Sequence, residues 1–355
     1  MRRIFSALAC VIVLVVLPCS VHGADDNNPS GTVGEERKAE KQAERQTHRQ
    51  SMSVEQGGAL LPSWRFVVEP FFEYDHITSQ NVSISGFTIF EAILIGQVQV
   101  QKLKRDIFIP GVNLRLGLQN AELNLRVPYY IRTDQAVFPG SGQQSGRVLE
   151  QNFSDKGIGD IELYLYYHLL KEGTWAPWVP DAIVRTGVKF PTGIDPYGLT
   201  RTNIPGLGLV PTQFPTGTGC YGTSVGVTFI KSVEPAVVFL NLAYFYNFAR
   251  NVGVAGSPPT DFGTIKIGNT IEYSIGLIFA IQERLSLNFA IDQRITGKTK
   301  QNGNPLVDTQ INAVSFNIGA TYTVSKNFAV DMTVGIGLTP DAPGVSFLTR
   351  FPISF

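Results

Sequence analysis

Read in steps of two, the stretch AELNLRVPYYIR puts Leu123, Leu125, Val127, Tyr129 and Ile131 on one side and Glu122, Asn124, Arg126 and Arg132 on the other. RLSLNFAIDQR repeats the pattern, with Leu285, Leu287, Phe289 and Ile291 opposing Arg284, Ser286, Asn288, Asp292 and Arg294. NAVSFNIGATYTV does so again, and similar stretches run over 157–170, 181–191, 219–231, 235–248, 264–281 and 327–337. Side chains of a strand point alternately to its two faces, so a period of two predicts strands with two different environments. From Trp64 onward no helical period is sustained, and no apolar run is long enough for a transmembrane helix. The chain ends inside the same pattern, on GVSFLTRFPISF.

A soluble β-sandwich also alternates, so three further features decide. Full charges sit deep inside the predicted strands, as at Arg185, Lys189, Glu272 and Asp331. A polar face repeated on every strand suits a wet lumen, with the apolar face turned to lipid. Short turns near Leu118, Lys231, Ile281 and Val324 alternate with long polar, Gly- and Pro-rich loops over 134–156, 192–217, 251–263 and 297–309. That is the periplasmic-turn, extracellular-loop asymmetry of outer-membrane barrels. Trp64, Trp175 and Trp178 all phase to the short-turn rim, where an aromatic girdle belongs. The predicted fold is all-β: a transmembrane antiparallel β-barrel of bacterial outer-membrane type over residues 61–355. It has about twelve strands, both ends periplasmic and the last strand pairing with the first. The segment 77–105 fits an extension of the second strand, an extracellular hairpin or a lumen insertion, which leaves ten or fourteen strands open.

Composition agrees. The net charge is zero and only 16% of residues are charged, so no basic surface for nucleic acid rises from the background. Arg2, Arg3, the apolar run FSALACVIVLVVLP and VHG before ADD read as an export signal over 1–23. Cys19 raises a lipoprotein alternative, which Pro18 disfavours. Residues 24–60 then read as a charged periplasmic tail, disordered or helical, with no large apolar stripe to bury in its charge-rich part. After cleavage Cys220 would stand alone, which precludes an intramolecular disulfide.

The residue types call for no cofactor. His48, His76 and His168 lack metal-ligand spacing, so no metal site is expected. His168 shares the polar face with Asp160 and Glu162, but no nucleophile pairs with it, and an outer-membrane lipid hydrolase is the weaker alternative. FPTG at 190–193 and 214–217 reads as punctuation where strands leave the membrane.

The polar-face charges carry most of the information. The bases are Arg65, Arg115, Arg126, Arg132, Arg185, Lys189, Lys266, Arg284, Arg294 and Arg350. The acids are Glu69, Glu73, Asp75, Glu122, Asp160, Glu162, Glu272, Asp292 and Asp331. The candidate lumen residues are Arg115, Glu122, Arg126, Asp160, Glu162, Arg185, Lys189, Glu272, Asp292, Arg294 and Asp331, with His168, and Arg65 and Arg350 are expected at the rim. Near balance predicts cross-lumen ion pairs and weak ion selectivity. The expected role is a channel or uptake protein passing small, mostly uncharged solutes, with a plugged binding or structural barrel as the alternative. The expected partners are outer-membrane lipid and a small-molecule solute.

GIGDIELYLYYHLL with DAIVRTGVKFPTG, and GGALLPSWRFVVEPFFEYDH with SISGFTIF, resemble a family of outer-membrane channel proteins grouped with the MetA pathway of phenol degradation. That resemblance implies a barrel and a transport role, often for small aromatic compounds, and supplies no catalytic residues. The final Phe355 resembles the C-terminal aromatic of bacterial outer-membrane proteins, which implies recognition by the barrel-assembly machinery.

Overall fold

The computed structural model describes residues 52–78, 102–139, 148–204, 208–211 and 213–355. The expected signal segment, most of the tail and the 79–101 part of the uncertain stretch lie outside the described residues.

Twelve strands form the wall: β1 (Phe66–Ile77), β2 (Lys102–Gly117), β3 (Ala121–Pro139), β4 (Ile161–Leu170), β5 (Asp181–Phe190) and β6 (Gly222–Val233), then β7 (Ala236–Asn247), β8 (Thr270–Gln282), β9 (Leu285–Thr296), β10 (Ile311–Ser325), β11 (Phe328–Gly337) and β12 (Val345–Arg350). Each pairs antiparallel with its sequence neighbour. The ring closes where β12 meets β1, Phe71 opposite Arg350 and Tyr74 opposite Phe347. Closure leaves no open edge, which a lipid environment requires of a sheet. Pro352, which has no N–H to donate, lies in the break of the last strand, and Ile353–Ser354 then resumes pairing with Val67 and Val68.

The burial pattern is inverted relative to a soluble protein. On β4 and β5 the inward Glu162, Tyr164, Tyr166, Arg185 and Lys189 are buried. The outward Leu165, Tyr167, Val188 and Phe190 are exposed. Further around the wall, Val225, Ile271 and Ile275 are each more than half exposed, whereas Lys189 is 0% and Glu122 1% exposed. A water-soluble monomer does not expose an apolar belt that surrounds it; a barrel in hydrocarbon must.

Connections fall into the two expected classes. Short ones join β2–β3, β6–β7, β8–β9 and β10–β11 at one rim. Trp64, Trp175 and Trp178 stand exposed at that rim, beside β1 and in the β4–β5 connection. The long connections at the other rim carry strand structure of their own, where loops were expected. Val148–Ile158 pairs with the outer half of β3. Arg250–Ala255, Thr260–Lys266, Lys300–Gln301 and Asn304–Pro305 form a separate four-stranded sheet, and Arg201–Ile204 pairs with Gly208–Pro211. Lys102–Arg105, part of the uncertain stretch, extend β2.

Candidate functional site

Several inward positions near the short-turn rim break the polar register of the lumen: Ile183 on β5, Ile230 on β6, Phe239 on β7 and Ile278 on β8. With Tyr164 and Tyr166 they make an apolar socket on the inner wall. Phe239 lies over its cross-strand partner Gly276, where a Cβ would stand 2.4 Å from the ring, so that position admits no side chain.

The socket is filled by the chain's own residues 52–60. Met52 (0% exposed) and Val54 (2%) pack into it, with Leu60 against its edge. Burying each such side chain stabilises by about 1.5–3 kcal/mol. A single helical turn, Val54–Gln56, then presents polar side chains to the lumen. Glu55 accepts a 2.8 Å hydrogen bond from Arg185 Nη1 and another from the Tyr166 hydroxyl. Gln56 accepts from Arg350, which also pairs with Asp331. Leu61 N–H donates to Glu122 Oε2 at 2.9 Å. Gly58 lets the segment double back: a Cβ there would meet the Met52 carbonyl oxygen at 2.2 Å. The end of the expected solvated tail is therefore a plug. The composition of 24–60 hid it, because its apolar residues are few and its carboxylate and amide find partners only inside the barrel. The readable signal was the set of apolar side chains at inward parity.

Above the plug the lumen holds a cavity of about 210 Å³. Of the sequence-predicted residues, Arg115, Glu122, Arg126, Glu162, Arg185, Glu272, Asp292 and Arg294 line it, together with Asn113, Asn124, Asn241, Tyr164 and Phe245. Arg115 binds Glu122 (2.7 Å) and Glu69 (3.4 Å), Arg126 binds Glu73 (3.2 Å), and Arg294 binds Glu272 (2.7 Å). Asp331 is engaged by Arg350, which is buried against the plug and not at the rim where the sequence placed it.

Asp160 and Lys189 sit higher, under residues 213–220. Asp160 takes hydrogen bonds from Gly193 N–H, Thr218 N–H and the Thr218 hydroxyl, and Lys189 lies 3.4 Å away. Cys220 is buried beside them, and that burial pushes its thiol up, away from the nucleophilic thiolate. His168 is not beside Asp160 or Glu162. It lies near the short-turn rim, 3.1 Å from Asp181, whose carboxylate also accepts the Glu172 N–H. Phe355 donates its N–H to Phe66 O at 2.8 Å and tilts against the Phe66 ring.

Three of the polar-face bases lie outside the lumen. Arg65 bonds to Lys326 O and Asn327, Lys266 caps Tyr246, and Arg284 lies in the β8–β9 turn. Among the described residues the cavity itself presents Glu55, Glu69, Glu122, Glu162, Glu272 and Asp292 against Arg115, Arg126, Arg185, Arg294 and Arg350. Asp75, buried above them, has an oxygen with no partner. The lining alone keeps the expected near balance of charge, and an acidic excess appears only when Glu73 and Asp331, the partners of Arg126 and Arg350, are counted with it.

The plug carries a pH dependence. Burial works against the charged form of Glu55, but Arg185 and the Tyr166 hydroxyl outweigh it and hold the carboxyl below its ordinary value of 4.5. A depressed carboxylate contributes its stabilisation above the free-chain pKa and loses it as pH falls through the docked value. Plug docking is therefore expected to be pH-independent from neutrality to about pH 5 and to weaken below about pH 4. Single-channel open probability measured from pH 7 to pH 3 should rise at the acid end. Glu55→Gln should be more open at neutral pH and lose the part of the acid response that other lumen carboxylates do not supply.

No protein-family model matches the chain, so the resemblance of the two stretches to the phenol-degradation group carries no family assignment. Among solved structures, an outer-membrane channel from Pseudomonas putida F1 is similar at a TM-score of 0.56 and 14% identity, over 83% of this chain and 97% of that one. The translocator domain of autotransporter NalP from Neisseria meningitidis is similar at 0.47 and 9%, over 90% and 97%. The toluene transporter TodX of Pseudomonas putida is similar at 0.39 and 8%, over 82% and 88%. At such identities the likeness to the first shows the fold alone: an outer-membrane β-barrel.

Proposed function

We propose that this chain is an outer-membrane channel of a Gram-negative bacterium, passing small, mostly uncharged solutes and held closed by residues 52–60. The observation that carries this reading is the pairing of an apolar outer belt with a charged, cavity-bearing lumen whose closure, among the described residues, is a short segment and not a packed domain. A segment held by two apolar side chains and a few polar contacts can leave, whereas the strand ladder cannot. The plugged-barrel alternative draws on the same segment: if it never leaves, the barrel is a closed scaffold. Transport of aromatic compounds is the finer form of the channel reading, supported by the sequence resemblance.

In this arrangement the long connections face outside the cell and the chain enters the lumen from the periplasm. Thr202→Cys should react with an impermeant thiol reagent on intact cells, because it stands exposed in a long-side hairpin. Ser232→Cys, exposed at the short-turn end of β6, should react only after the outer membrane is opened. The reverse pattern would contradict the orientation.

A further inference from the structure

The lumen cavity contains an inventory of polar atoms that the protein leaves unused. Arg185 spends Nη1 on Glu55, while Nε and Nη2, one edge of its planar fork, have no partner. Asn241 accepts from the Thr228 hydroxyl through Oδ1, and its Nδ2 is unused. Asn113 donates to Glu69, leaving Oδ1 unused, and Asn124 Oδ1 is unused too. All four side chains line the one cavity, and Asn113, Arg185 and Asn241 are each more than nine-tenths buried. Buried donors and acceptors left without partners are costly unless water or a ligand meets them.

Their chemistry defines what would fit. The Nε–Nη2 edge of a guanidinium and an amide N–H are donors, suited to a carbonyl or similar planar acceptor. The two amide oxygens are acceptors, suited to an N–H or O–H. The guanidinium lies 5.5 Å and 5.6 Å from the ring centres of Tyr164 and Phe245, so flat aromatic surface adjoins the donor edge. The volume, about 210 Å³, exceeds the ~150 Å³ of a cavity that takes up benzene, enough for one substituted ring. An anion would add to the carboxylate excess. A cation would feel that excess only through carboxylates already engaged by Arg115, Arg185, Arg294, Tyr164 or Asn317, and it would leave the donors of Arg185 and Asn241 unmet.

We infer that the lumen cavity is a binding site for a neutral, planar solute carrying a carbonyl acceptor beside an N–H donor, of which a primary carboxamide is the simplest. As the solute class of the proposed channel it rests on that reading, but the binding is measured without transport.

Calorimetry on the full folded chain in detergent, with protein-free micelles subtracted, uses benzamide as the probe. Benzoate, benzylammonium and toluene share its ring and change only the polar group. Benzamide should bind saturably, and the other three at least about tenfold more weakly, because a site built to hydrogen-bond a group rejects analogues without it. Asn241→Ala should weaken benzamide by about tenfold through loss of a buried donor, and lipid-facing Leu125→Ala should leave it unchanged. Non-saturable or equal uptake of all four, which would assign those atoms to lumen water, overturns the inference. So does benzamide affinity that survives Asn241→Ala. Failure of the barrel to carry current would remove the channel reading and leave this binding result standing.

Discussion

Deleting residues 52–60 should turn a barrel that passes little current into one that conducts steadily, with a several-fold rise in mean conductance in planar bilayers. The expectation follows from where each contact lies. The deletion removes Met52 and Val54 from the socket, Glu55 from Arg185 and Tyr166, and Gln56 from Arg350. It leaves every strand pair of the wall, and also Leu61 with its bond to Glu122, in place. Heat-modifiable migration should therefore persist. A smaller change gives a graded version: Glu55→Ala removes two charge-assisted contacts, together about 3 kcal/mol, which is a population shift of about a hundredfold toward the undocked plug. If the deletion variant conducts no better than the whole chain, the segment is not what closes the lumen.

The second large effect is on charge selectivity. A carboxylate at ~4 Å from a passing ion is worth about 1 kcal/mol in water and about 4 kcal/mol at the lower effective dielectric of a protein wall. Removing the plug takes Glu55 away and leaves five lining carboxylates against five guanidiniums, but Glu73 and Asp331, which pair with Arg126 and Arg350, keep the wall acidic, and the plug-free barrel should thus favour cations. Reversal potentials in a salt gradient should show cation preference, in contrast to the weak selectivity expected from the sequence count alone. Arg126→Glu should strengthen it, since Arg126 now offsets Glu73 at 3.2 Å. Glu162→Gln with Asp292→Asn should weaken it, and Leu125→Ala should not move it. Anion preference in the plug-free wild-type barrel would contradict this charge assignment.

Much of this molecule was readable from period two. Alternation at Glu122–Ile131 and Leu285–Arg294 encodes both faces of the wall at once, because lipid and water make opposite demands on them. Loop length distinguished the two rims, and the terminal strand found its partner because a barrel must close. Three things were not readable. Apolar side chains at Ile183, Ile230, Phe239 and Ile278 were counted as part of a strand pattern, when their parity marked a socket inside it. The plug's residues are individually ordinary, and their meaning lies in contacts up to 294 positions away, as between Gln56 and Arg350. Parity also assigns a face but not a height. Arg65, Lys266 and Arg284 share the polar phase yet lie outside the lumen, and Arg350 lies within it. The same limit separated His168 from Asp160 and paired it with Asp181.

The most direct measurement is liposome swelling by a small neutral solute, with the whole chain and the 52–60 deletion reconstituted at equal density. A channel closed by its own segment predicts slow swelling with the whole chain and fast swelling with the deletion, both barrels being folded. Equal rates for the two would contradict closure by this segment, and no swelling with either would contradict the channel.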